Sequence, residues 1–450
     1  MEERNIIAIE IGSSKIKGAL GTFSTSGILT VKAVEEEPML DWVRYGAVSN
    51  VEETSQLAAR IIRKIENRVA PSKIERVYVA LGGRSCCSMR RDVERNLPEE
   101  MEITDEILKS LRLEASKAPL PDRDLYSVET REYVVDNRVV ARPKGTVGRT
   151  VRFSANLVTC RLPSKRNIDI LFKDKLHLEI GGYEVRHLAL GDLVLSGEEK
   201  LLGCMLVDFG AETTAVSIYK NGHLQYMATL PMGSRNITRD IMTLKFLEER
   251  AEEIKRENGN ASGNLTNMTP LNGIDYNAVN SHVSHRAGEI IANIKKQISY
   301  AGYSASDLSA GIVIVGRASR LTGFNDRLQQ ATTMKIRVGS ITTPNIRIAD
   351  SRISNSDASD VIAVLYKAAL HGAEECLKSE VINLAPDDMY EEEIPETVVV
   401  PEPVIEPVAE TAPSKRTNRI RSFVSKIKGF LDEPEDLDED DDDVLNEDPD

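Results

Sequence analysis

The chain has 450 residues, 41% of them hydrophobic, which is enough for two or three domains with real cores. Its net charge of −14 is local: residues 432–450 hold 13 Asp and Glu and no Lys or Arg, so the rest carries −1, which argues against a nucleic-acid binder. Five cysteines with no CxxC spacing suit a reduced compartment, no signal peptide precedes Ile6, and no apolar run approaches the roughly 20 residues that span a bilayer.

In chain order, residues 5–21 (NIIAIEIGSSKIKGALG) predict a strand, a Gly-Ser turn and a second apolar stretch. Residues 53–69 predict an amphipathic helix, followed by a strand at 76–81. A segment of mixed character covers 84–165, with a helix after Thr104 and strands near 126–135 and 151–160. Residues 165–176 read as helical and 183–188 as a strand. Strand, turn and strand then return from Gly203, with Asn221-Gly222 as a hairpin signal. Helices are expected at 245–257 and 281–301, a buried strand and Gly turn from Gly311, and a last helix at 357–377. Residues 387–413, rich in Glu, Pro and Val and lacking Lys and Arg, read as a disordered linker.

One pattern recurs. Glu10 and Asp208 each stand at the end of an apolar strand, in the order acid, apolar residue, Gly. Gly12, Ser13, Ser14 and Lys15 follow the first, and Gly210 and Thr213 the second. Such turns aim backbone N–H groups at an anion, and small residues let a phosphate approach the main chain. Two opposed turns could clamp a phosphate tail, with Asp208 holding Mg2+ through water. A third Gly turn, Gly316 to Ser319, follows another buried strand.

Past the linker, residues 416–431 form a basic amphipathic stretch. Ile420, Phe423, Val424, Ile427, Phe430 and Leu431 make an apolar stripe flanked by Arg416, Arg419, Lys426 and Lys428. That pattern suits a helix lying in lipid headgroups rather than one docked on its own protein, because it follows a linker with no core to cover.

The three Gly turns, in this order, resemble the phosphate-1, phosphate-2 and adenosine motifs of the actin-like ATPase superfamily. The stretches MEITDEILKSLRLEASKAPLPDRDLYSVETREYVVDN and LVDFGAETTAVSIYKNGHLQYMATLPMGSRNITRDI, with the tethered helix, are similar to the bacterial cell-division FtsA family. The resemblance implies an α/β fold of two actin-like (duplicated RNase H-like) lobes with an inserted α+β 1C subdomain of SHS2 type. The expected parts are 1–83, first part of lobe I; 84–165, the insertion; 166–200, return to lobe I; 201–384, lobe II, with a nucleotide helix at 245–257 and an adenosine motif at 311–324; 385–414, linker; 415–431, membrane helix; and 432–450, acidic tail.

The resemblance further implies ATP and Mg2+ in the cleft, self-assembly, attachment to the cytoplasmic face of the membrane at the division site, and capture of the tail of the tubulin-like protein FtsZ. By motif, Gly12, Ser13, Ser14, Lys15, Gly210, Thr213 and Gly233 meet phosphates. Glu252 and Lys255 meet ribose and base, and Gly316 and Ser319 line the adenine pocket. Glu10 and Asp208 are the catalytic candidates, and Asp208 holds the metal through water. Arg286, Lys295 and Lys296 are the candidate FtsZ face. Any turnover of ATP is slow, and other division proteins are expected partners. Ala211, Glu212 and Arg317 stand where the family usually has Gly: an inward Glu212 would repel phosphates and an outward one would not matter. A nucleotide-free scaffold and a small-molecule kinase of the same superfamily are the alternatives.

Overall fold

A computed structural model describes residues 3–262, 273–341 and 343–378. The described residues belong to one compact unit within 1–382; the linker, the amphipathic stretch and the acidic tail lie outside the described residues. Among the described residues no helix is long and apolar enough to cross a membrane.

The chain opens with three antiparallel strands, β1 (Arg4–Ile11), β2 (Lys15–Phe23) and β3 (Leu29–Pro38). Helix α1 (Val51–Val69) is capped by Asn50 and buries Leu57, Ala58, Ile61, Ile62 and Ile65, spaced at helical period. Strand β4 (Arg76–Leu81) runs parallel to β1. Next come β5 (Cys87–Glu102), α2 (Asp105–Ser116), β6 (Arg123–Val135) and β7 (Val147–Arg161). These three strands, in the order β6-β7-β5 with a short edge strand at Arg138–Val139 beside β6, form a separate antiparallel sheet covered by α2, with its own core of Val93, Leu111, Val151 and Phe153.

Thr104 caps α2 through the N–H of Ile107, as the sequence predicts, but β5 is a strand that the sequence does not announce. Most of its residues are exposed, and pairing with β7 rather than an apolar pattern holds it in place. The same pairing sets Thr159 opposite Cys87 and brings the Cα atoms of Cys86 and Cys160 to 4.5 Å, where the two are disulfide-bonded. That corrects the expectation of an all-reduced set; Cys87, Cys204 and Cys376 are free.

The chain returns through α3 (Leu162–Asp169), a π turn at Ile170–Lys175, and β8 (Glu179–Val185), parallel to β4. Helix α4 (Arg186–Val194) begins inside the segment read as a strand at 183–188. After α5 (Gly197–Leu202), the opening pattern repeats in β9 (Cys204–Phe209), β10 (Thr214–Lys220) and β11 (His223–Leu230), again antiparallel. Helices α6 (Ser234–Met242), α7 (Glu248–Asn258) and α8 (Tyr276–Tyr300) follow. Then come β12 (Gly311–Val315), parallel to β9, α9 (Phe324–Thr332) and β13 (Ile336–Val338), parallel to β12.

Strand β14 (Ile346–Ile348) and α10 (Ser359–Leu370) follow, and a short strand at Leu377–Lys378 pairs with Lys73–Ile74. Strand β14 pairs with β3, and the buried residues of α10 join the core of the first sheet. This part of 201–384 therefore returns to the first lobe instead of completing the second.

The two main sheets share one topology. The first reads β8-β4-β1-β2-β3-β14 and the second β11-β10-β9-β12-β13, each with three consecutive antiparallel strands followed by two parallel ones on the side of the first strand. Strand β9 is buried on both faces. Cys204 and Leu206 belong to the first core; Met205, Val207 and Phe209 belong to the second, as strand alternation requires. Asp208 shares the face of Cys204 and Leu206 and so emerges toward the first lobe.

Candidate functional site

The recurring acid-and-Gly pattern becomes two turns of the same register and hydrogen bonding. In the first, Ile11 pairs with Ile16 and the Gly12 N–H donates to the Lys15 carbonyl at 2.9 Å. In the second, Phe209 pairs with Thr214 and the Gly210 N–H donates to the Thr213 carbonyl at 3.0 Å. At either glycine an added Cβ would stand 3.0 Å from that carbonyl oxygen, so a larger residue would crowd the turn. Ser13 and Thr213 are buried and Ser14 is exposed.

A single loop of the first lobe touches both turns. The Met39 N–H donates to the Ser14 carbonyl (2.9 Å), the Gly46 N–H to Ser13 Oγ (2.9 Å) and the Tyr45 N–H to Glu212 Oε2 (2.6 Å). Glu212 therefore does not point into solvent. It is 1% exposed and lies among three arginines: Arg239 at 2.8 Å, Arg235 at 3.4 Å and Arg44 at 3.5 Å. Arg235 and Arg239 are one helical turn apart on α6, the spacing that aims both at one acceptor. The cluster was legible only as three arginines scattered in sequence; nothing local ties them to Glu212.

Gly233 leads into α6, and an added Cβ there would meet the Ala211 carbonyl oxygen at 2.4 Å. It lets α6 dock on the second turn, where the N–H groups of Ser234 and Arg235 donate to the carbonyls of Gly210 and Ala211. At the third turn, Gly316 has φ of 90° and packs on the end of β9, while Ser319 Oγ donates to the Gly316 carbonyl at 2.7 Å. A 380 Å³ cavity opens beside it, lined by Gly316, Arg317, Ser319, Arg320, Asn325 and Asp326 among others. Neither phosphate-type turn lines it, and neither do Glu252 or Lys255. Those two are engaged elsewhere: Lys255 is buried, donates to Thr238 Oγ1 (2.9 Å) and the Ser234 carbonyl (3.2 Å), and pairs with Glu252, pinning α7 to α6. Burial holds the Lys255 pKa below its usual value.

Arg317 reaches from the third turn to Glu36 on β3 at 2.9 Å, and Lys15 pairs with the same carboxylate. Of the proposed partner face, Arg286 is held by Asp240 at 2.7 Å, while Lys295 and Lys296 are exposed on α8.

The floor of the cleft holds a residue that sequence reasoning missed. Arg186, first residue of α4, places Nη2 2.7 Å from Asp208 Oδ2 and Nη1 3.5 Å from Glu10 Oε1. Beside it, Lys17 pairs with Asp360 and donates to the Asp357 carbonyl at 2.8 Å. Burial works against the charge on Arg186, but Asp208 and Glu10 outweigh it and push its pKa up. Burial raises Glu10 to about 7; Asp360 adds to that, and Arg186 and Lys17 oppose it. Burial likewise raises Asp208 against Arg186. Asp208 Oδ2 has no aligned hydrogen-bond donor in spite of the ion pair.

The donor set at these acids is that of an internal ion pair rather than of a directly ligated metal. The two candidate acids already share a guanidinium, and among the described residues no three acidic, His or Cys side chains form a metal-ligating cluster. Nor does either acid stand free as the base that a small-molecule kinase needs. The sequence signal for Arg186 is a cation opening the mostly apolar helix in EVRHLALGDLVL.

Duplicated lobes of this topology, each presenting a Gly turn to a common cleft, define the actin-like ATPase fold. Among solved structures, the PilM-PilN type IV pilus biogenesis complex aligns with a TM-score of 0.56 at 16% identity, covering 82% of this chain and 98% of that one. A family profile described as "Cell division protein FtsA" matches residues 205–363. The cell division protein FtsA of Porphyromonas gingivalis is 30% identical over 377 residues, 80% of this chain and 77% of the relative. That of Pseudomonas aeruginosa is 27% identical over 354 residues, covering 74% and 82%. The chain belongs to the FtsA family of bacterial cell-division proteins.

Proposed function

We propose that this chain is a membrane-attached scaffold of the division machinery. It binds ATP between its lobes, assembles with copies of itself, and holds the tubulin-like protein FtsZ at the cytoplasmic face of the membrane. The observation that supports the nucleotide part is the pair of matched turns, each with a Gly N–H closed onto the carbonyl three residues on; a 380 Å³ cavity, which neither of them lines, opens at the third turn. Residues 416–431 supply the lipid contact, with the apolar stripe buried and the Lys and Arg facing anionic headgroups. A single short helix binds weakly, so assembly of many copies is what makes attachment durable. The exposed Lys295 and Lys296 offer a cationic face on α8 for an FtsZ tail. Turnover of ATP is slow, because Arg186 occupies both acids that could orient water.

One observation favours the second reading, a scaffold that uses no nucleotide: Glu212 and Arg317 both reach across the cleft to the first lobe. The Arg317–Glu36 pair is well exposed, and such pairs contribute only about 0–1 kcal/mol, so it yields readily to a ligand. Calorimetric titration of the full-length chain with ATP decides. Saturable binding at one per chain supports the first reading; no heat at millimolar ATP leaves the second.

A further inference from the structure

Helix N-termini favour anions, because the unpaired N–H groups there carry partial positive charge. Arg186 occupies the first position of α4 and is a cation in the wrong place by that rule. Its guanidinium is largely buried, so both terms disfavour it unless a nearby negative charge compensates. The compensation comes from two carboxylates on different lobes, Glu10 at the end of β1 and Asp208 at the end of β9, engaged through different nitrogens of one fork. These acids stand just before the two matched turns, where a divalent cation would otherwise reconcile buried carboxylates with an anionic ligand.

We propose that Arg186 supplies, from within the chain, the positive charge that Glu10 and Asp208 would otherwise take from a divalent cation, so that the cleft accepts a phosphate-bearing ligand without metal. Arg186 is a positioning and charge-balancing residue: it holds the two acids together and offsets their repulsion of phosphate. The second half of this inference rests on the nucleotide reading; the first half does not.

The test on the full-length chain begins without nucleotide. Manganese(II) is titrated into the native protein, Asp208→Asn, Arg186→Gln, and Arg186→Gln combined with Asp208→Asn, and free ion is followed by electron paramagnetic resonance. The native chain should bind no ion that Asp208→Asn removes. Arg186→Gln should gain one submillimolar site, which the added Asp208→Asn abolishes. A native site lost on Asp208→Asn, or no gain in a folded Arg186→Gln, overturns the proposal. Arg186→Gln leaves two buried acids without their partner and can fail to fold, so a second measurement uses the native chain alone. ATP affinity with Mg2+ and with a chelator should agree within about twofold, and a loss of tenfold or more on chelation overturns the proposal; tenfold corresponds to about 1.4 kcal/mol. If ATP does not bind under either condition, the nucleotide reading fails, while the manganese result still judges Arg186.

Discussion

His187, next to Arg186 on α4, is buried with neither ring nitrogen hydrogen-bonded. Burial first, and then the Arg186 charge, lower its pKa to about 3. The folded chain therefore keeps it neutral, while the unfolded chain protonates it near 6.5. This contribution to stability is complete above about pH 6.5 and is lost as pH falls toward 3, amounting to about 2 kcal/mol by pH 5. In urea unfolding at pH 7 and pH 5, His187→Leu should lose about 2 kcal/mol less than the native chain over that interval. Equal losses in the two proteins would show that His187 finds a partner or solvent in solution. Single residues were also where sequence reading reached least far. Gly12, Gly210 and Gly316 were legible because a tight turn restricts residue type locally. Arg186 and Glu212 were not, because their partners lie far along the chain: residues 10 and 208 for one, 44, 45, 235 and 239 for the other.

At the scale of elements, periodicity succeeded where an element buries one face and failed where pairing alone holds it. Helix α1 and strand β4 follow their predicted positions, because their buried residues recur at the period of their type. Strand β5 offers no apolar period to read, since 11 of its 16 residues are exposed. The strand expected at 183–188 crosses a boundary that has no side-chain cap and no Gly or Pro to mark it. The amphipathic stretch at 416–431 makes its own prediction from pattern. Phe423 and Phe430 sit on its apolar stripe, and burying each Phe contributes about 1.5–3 kcal/mol. Replacing both with Glu should lower co-sedimentation with vesicles of anionic phospholipid at least a hundredfold, with the thermal unfolding transition unchanged. Continued pelleting of that variant would count against lipid attachment through this stretch.

Across the whole molecule, the duplicated sheets were legible as an internal echo, but the return of β14 and α10 to the first lobe was not, because neither carries a motif. That return matters for the cleft. Asp360 at the start of α10 anchors Lys17, and Asp357 just before it meets Arg317 at 3.5 Å and pairs with Arg320 of the second lobe. The lobes are thus tied at the floor by Arg186, at one side by Glu212 and at the other by Arg317. These ties differ in weight. The Arg317 contacts are solvent-screened, whereas Glu212 is buried, and removing one partner of a buried ionic group costs about 3–5 kcal/mol. The buried tie should therefore govern how closely the lobes hold together when no nucleotide is present. The Tyr45 N–H reports on it directly, because its acceptor is Glu212 on the other lobe. In the nucleotide-free native chain this amide should resist hydrogen exchange. In Glu212→Ala it should exchange at least tenfold faster, while amides in the middle of β1 and β9 keep their protection. If Tyr45 exchanges freely in the native chain, Glu212 does not hold the cleft closed, and the arginine cluster on α6 serves the second lobe alone.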